Sequence, residues 1–159
     1  MWPASPPGPV RAGAHHDHRH GHPRAGDARA AALRTLDRRV GTRAVSDPGG
    51  LGGEVRYEWM AGGCWLVQHV DLRHGDEHDR GAECTGWDES SGELRSHSFG
   101  SRGELLEYTY RIEGDLLTTW FGGTDSPARF EGRSSADGTV NEGAWQWPGG
   151  GCASTMTRC

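Results

Sequence analysis

The sequence predicts an all-β fold: an antiparallel meander of about 9–10 strands closing into a barrel, preceded by one short helix. Three observations predict it. From about residue 54 onward, short segments recur roughly every ten residues, and each ends in a glycine-bearing turn. Within them apolar and polar residues alternate with period 2, as in strands that bury one face. Six of the seven Trp lie after residue 58, so buriable area is concentrated in this half of the chain.

The elements follow in order. Residues 1–26 are rich in Pro, Gly, Ala, Arg and His and hold little to bury, the composition of a disordered tail. Residues 27–159 then form one domain. Its first element, DARAAALRTLDR at 27–38, reads as a helix with Asp27 as N-cap and a stripe of Ala31, Leu33, Leu36 and Val40. A helix in that position commonly closes one end of the barrel. VGTRAV at 40–45 reads as the first strand, and SDPGGLGG after it as a loop.

Strand faces follow from the alternation. In EVRYEWM, Val55, Tyr57 and Trp59 face one way, and Glu54, Arg56 and Glu58 the other. LLEYTYRI repeats the split, with Leu106, Tyr108, Tyr110 and Ile112 opposed to Glu107, Thr109 and Arg111. CWLVQHVDL is apolar on both faces, so the pattern leaves the side of His69 open and suggests cover on both, from the helix for instance.

Charge is uneven. Residues 1–40 hold seven Arg against three Asp, whereas residues 41–159 hold ten Arg against nineteen carboxylates. An acidic barrel repels phosphate, which argues against nucleic acid as a partner. The opening MWPASPPGPVRAGAHH has no apolar signal core, and no stretch approaches the ~18 apolar residues of a membrane span. Cysteines 64, 84, 152 and 159 contain no C-x-x-C pair, so a structural zinc site is not expected. The expectation is a cytoplasmic, soluble protein with reduced thiols and no membrane association.

Candidate chemistry is sparse. The tail's HHDHRHGH contains His16, His18 and His20, weak candidates for a divalent metal; elsewhere no metal site is expected. His74 and His78, in the charged stretch RHGDEHDR, read as part of a solvated turn. Asp88 in GWDESSGE and Asp137-Gly138 read as turn residues. WPGGG lacks the Lys-Ser/Thr of a phosphate loop, there is no G-x-S-x-G elbow, and no cofactor is assigned.

The strongest site argument is the set of amphipathic aromatics on inward faces. Tyr57, Trp59, Tyr108 and Tyr110, joined by Trp120 and Trp145, are candidate lumen residues, with His69 and His97 the two histidines embedded in strands. Tyr and Trp carry an apolar body and one polar handle, which suits a pocket that holds and orients a ligand. The same aromatics would equally fill a small barrel.

The segments GGEVRYEWMAGGCWLVQHVDL, GWDESSGELRSHSFGSRG, YTYRIEGDLLTTWFG, SPARFEGRSSADGT and GAWQWPGGG resemble an uncharacterised actinobacterial, lipocalin-like family, a domain of unknown function. The likeness covers most of residues 36–158 and implies a small lipocalin- or calycin-like barrel without implying an activity. Such chains often begin their first strand with Gly-x-Trp, whose Trp plugs the closed end. Here the residues are Gly41, Thr42 and Arg43, so an Arg stands where an apolar plug is expected. Either Arg43 stacks on a neighbouring aromatic and reaches an acidic group, which is the preferred expectation, or this barrel end is looser and less stable than in the resembling chains. Haem-binding barrels of the nitrobindin type use a late His, and no His follows His97.

Three functions remain open on this reading. The leading one is a binding protein for a small apolar or aromatic ligand in the lumen. Next comes an enzyme on the same barrel, an isomerase, cyclase or hydrolase using His69, His97 or a carboxylate such as Glu83. A filled barrel acting as a protein-interaction module is the third. A buried, pKa-shifted group in the lumen would favour the enzyme.

Overall fold

The alternation resolves into ten strands that close on themselves. The computed structural model describes residues 25–159, so the histidine-rich tail, with His16, His18 and His20, lies outside the described residues. Helix α1 (Ala25–Thr35) and a 3-10 turn (Asp37–Arg39) lead into β1 (Gly41–Ser46), β2 (Leu51–Trp59), β3 (Trp65–His74), β4 (Glu77–Asp88) and β5 (Glu93–Gly100). Strands β6 (Leu105–Glu113), β7 (Leu116–Phe121), β8 (Arg129–Ser134), β9 (Val140–Trp147) and β10 (Gly150–Arg158) complete the chain. Each strand pairs antiparallel with the next, and β10 returns to β1. Closure leaves no sheet edge unpaired.

Cross-strand partners share a face, so the register sorts every side chain. Val55, Tyr57 and Trp59 point inward, as do Leu106, Tyr108, Tyr110 and Ile112 across the barrel. Glu54, Arg56 and Glu58 are exposed. The core is made by Val45, Val55, Tyr57, Leu66, Leu94, Tyr108, Tyr110, Leu117 and Phe130, with Leu36 from below the first strand.

Several local expectations change. The helix ends at Thr35, where its hydroxyl turns back to the Ala32 carbonyl at 2.6 Å, and the chain tightens into the 3-10 turn. Asp27 sits in the first turn and not at the cap. Ala31 faces solvent; Ala32 takes its place in the apolar stripe with Leu33, Leu36 and Val40. The stripe covers the end of the barrel. It does not cover the outer face of β3, where Trp65 remains exposed.

The presumed loop SDPGGLGG is shorter than its glycines suggest. Only residues 47–50 turn, fastened by Leu51 N–H to Asp47 Oδ1 at 2.9 Å, and Gly52 and Gly53 pair with Ser46 and Val45. Gly53 adopts φ +141°, and a Cβ there would stand 2.2 Å from the Asp71 carbonyl oxygen. Glycine is used here to let β2 pass close against β3. Similarly, RHGDEHDR turns only at Gly75–Asp76, and His78 and Asp79 belong to β4. The turns at Asp88 and Asp137 follow the sequence reading. Asp88 accepts from the Ser91 and Ser90 hydroxyls, and Asp137 from Ser135 and Thr139; these bonds hold both carboxyls down at about 2.

Candidate functional site

In a ten-stranded meander alternate connections share one end. The helix end therefore carries the turns β2–β3, β4–β5, β6–β7 and β8–β9, together with α1 and the 3-10 turn. Leu36 plugs this end, 1% exposed. Trp59 Nε1–H donates to Asp37 Oδ1 at 3.0 Å, and Arg38 Nη1–H to the Gly114 carbonyl at 2.5 Å, tying the cap to β2 and to the β6–β7 turn.

Beside this cap opens a pocket of ≈ 550 Å³. Ile112, Leu117 and Met156 give it apolar walls, Arg38, Arg39 and Arg43 its cationic side, and the β8–β9 turn its rim. Arg43, 7% exposed, does not stack on any aromatic among the described residues. Its Nη2–H donates instead to the Arg38 carbonyl at 2.5 Å, satisfying a carbonyl freed at the end of the 3-10 turn. Burial, then repulsion from Arg158 and Arg39, lowers its pKa. The stacked arginine is Arg39: its guanidinium lies 4.7 Å from the Tyr57 ring centroid and donates to Tyr57 Oη at 2.5 Å.

Behind Arg39 a polar group continues into the barrel. Tyr57 O–H points to Met156 Sδ at 3.9 Å. Tyr110 O–H donates to Glu83, a buried carboxyl on the inner face of β4. Ser96 Oγ, wholly buried, lies near enough to Glu83 to favour its charged form, but meets full hydrogen-bond geometry with no partner among the described residues. Desolvation pushes the Glu83 carboxyl up, against the Tyr110 hydrogen bond, Ser96 and the Arg39 charge. For Arg39, burial opposes the charge, but Tyr57, Tyr110 and Glu83 outweigh it and hold its pKa up.

The sign of the resulting pH dependence follows. The folded protein holds the Glu83 proton more tightly than the unfolded chain, whose carboxyl titrates near 4.5. Stability from this group is complete below pH 4.5 and is lost as pH rises through the raised folded value. Glu83→Gln should match the wild type below pH 4.5 and be more stable at pH 7–8, by roughly 1 kcal/mol. Melting temperatures of both proteins from pH 4 to 9 test this. A variant less stable at neutral pH would mean that attraction to Arg39 outweighs desolvation.

The candidate residues divide between the two faces. Tyr57, Tyr108 and Tyr110 are inward and buried, and Trp59 and Trp145 are inward and half-buried. Tyr108, Phe121, Trp145 and Phe130 form an aromatic group with centroids 5.6–6.0 Å apart. His69, His97 and Trp120 are not lumen residues. Trp120 pairs with Thr109 on the outer face, under the Arg111 guanidinium at 5.1 Å, while its neighbour Phe121 points inward. His69 and His97 are on the outside of β3 and β5, with β4 between them, bonded to Glu58 at 2.8 Å and Glu107 at 2.9 Å. They do not meet. Among the described residues no group of three or more His, Cys, Asp or Glu is placed to hold a metal ion, and no helix is long and apolar enough to cross a membrane.

Glu83, named from the sequence as a carboxylate an enzyme could use, and Arg39, not singled out there, complete the inner site. Glu83 occupies an inward position in the alternation of β4, opposite Gln68 and Ser98, which was the available signal. Arg39 follows the helix and had none. No family model matches the chain, and no curated protein matches it.

Proposed function

We propose that this barrel, of lipocalin-like type, binds a small molecule with an apolar body, seated in the pocket at the helix end. The supporting observation is the pocket itself. Its ≈ 550 Å³ lies within the usual range for small-molecule sites, about 300–1,000 Å³, and combines apolar walls with a few converging polar groups. The tyrosine-rich centre of the lumen is packed, with Tyr57, Tyr108 and Tyr110 each no more than 9% exposed. Ligand binding is therefore assigned to the mouth, and the tyrosines support its floor.

An acid–base enzyme is favoured by one observation, the buried Glu83 with its raised pKa. A general base must come within hydrogen-bond reach of the proton it takes. Glu83 is not among the residues that line the pocket, whereas Arg39 is. Binding is the better-supported reading.

Ile112→Trp, at a half-buried wall position, should fill the pocket. Titration with the uncharged fluorophore N-phenyl-1-naphthylamine is expected to show binding to the wild type and at least about tenfold weaker binding to the variant. Equal binding would move the site elsewhere. No binding to the wild type would remove the proposal.

A further inference from the structure

We infer that the ligand carries an anionic head, a carboxylate on an apolar body, and that Arg43 is its counter-charge at the floor of the pocket. This rests on the pocket reading above. The argument starts from an imbalance. A guanidinium taken out of water needs a compensating charge, and a main-chain carbonyl supplies only part of it. Arg43 is buried, borders the pocket, and has one hydrogen bond, to the Arg38 carbonyl. Among the described residues, neither Arg43, Arg39 nor Arg38 has a carboxylate within 4.0 Å, while Arg133, Arg111 and Arg102 on the outer surface are each ion-paired.

The two carboxylates at the pocket are committed elsewhere. Asp115 pairs with Arg133 at 2.8 Å, and Asp137 is held by Ser135 and Thr139 within its own turn. Arg39 is engaged by Tyr57 and faces the charge of Glu83. Arg38 is exposed to water and donates to the Gly114 carbonyl, which leaves Arg43 as the buried guanidinium with unmet demand. Its planar fork suits the two oxygens of a carboxylate. Asn141 and Ser134, which also line the pocket, supply neutral polar groups beside it. The preceding residues 1–24 are an unsuitable occupant, since they hold three Arg against one Asp and would add positive charge.

Decanoate and decanol share a chain and differ in head group, so competition against bound N-phenyl-1-naphthylamine isolates the charge. Decanoate is expected to displace the fluorophore from the wild type at a concentration at least about tenfold lower than decanol, as a charge-assisted hydrogen bond predicts. Arg43→Met should erase that preference, so that decanoate and decanol displace the fluorophore at similar concentrations. Arg43→Gln, which keeps a donor for the Arg38 carbonyl, should do the same and guards against a packing effect. Equal displacement by the two compounds, or a preference surviving both substitutions, overturns the anionic head and leaves the pocket reading standing. Failure of the fluorophore, decanol and decanoate alike to bind overturns both.

Discussion

Gly143→Ala is expected to lower the stability of the barrel by about 2–3 kcal/mol, seen as a fall in the denaturant midpoint at unchanged slope. Gly143 on β9 faces Gly132 on β8, on the inner face. A Cβ at Gly143 would stand 2.2 Å from the Glu131 carbonyl oxygen, 2.5 Å from Gly132 Cα and 2.6 Å from Phe130 Cζ. The Phe130 ring lies across both glycines, since a Cβ at Gly132 would meet it at 2.6–2.7 Å. Two strands thus come together with no side chains between them, and a neighbouring aromatic covers the bare backbone. The ring could rotate away; the main chain of β8 could not without losing ladder hydrogen bonds. Phe130→Leu in the same chain should therefore recover only part of the loss. A single variant within 0.5 kcal/mol of wild type would show that β8 and β9 separate freely at this level.

Leu36→Ala is expected to cost about 3 kcal/mol, within the usual span for a buried Leu truncation. Leu36 joins α1 to the 3-10 turn and is the most buried member of the core with Val55. It contributes apolar area at the end of the barrel where β1 begins. Its loss leaves a cavity at the helix end of the apolar core. Thermal unfolding should show the loss, and hydrogen exchange should rise first in α1 and β1. A small change, below about 1 kcal/mol, would mean that Leu33 and Val40 close over the gap.

The strand pattern was legible because period 2 is imposed by the backbone. Val55, Tyr57, Tyr108 and Tyr110 could be placed inward from their neighbours alone. Glycine-rich stretches were harder. SDPGGLGG looks like a loop by composition, yet Gly52 and Gly53 extend the ladder because β3 lies too close for a side chain. Trp120 shows the limit of residue type as a guide to burial. It packs on the outside over Thr109, which is 1% exposed for that reason, while the lumen takes Phe121. CWLVQHVDL could not reveal the side of His69, because both of its faces are apolar.

The candidate site was less legible still. Its lumen tyrosines read from the sequence either as ligand contacts or as core filling; in the fold they are buried, and the pocket is lined instead by Arg38, Arg39 and Arg43 with apolar neighbours. Nothing local distinguishes Arg38 and Arg39 from Arg34 or Arg73; only Arg43 was marked out, by its place after Gly41 and Thr42. Sequence by itself determined the meander, the inward faces, the turns at Asp88 and Asp137, and the helix that caps one end. These depend on contacts within a few residues, or on a side-chain period that the backbone fixes. Tertiary structure alone decided which arginine is buried without a carboxylate, and which glycines stand face to face. It also brought Glu83 to Tyr110 across twenty-seven residues of chain. Burial and charge compensation depend on how ten strands close, and closure joins residues that no sequence window contains together.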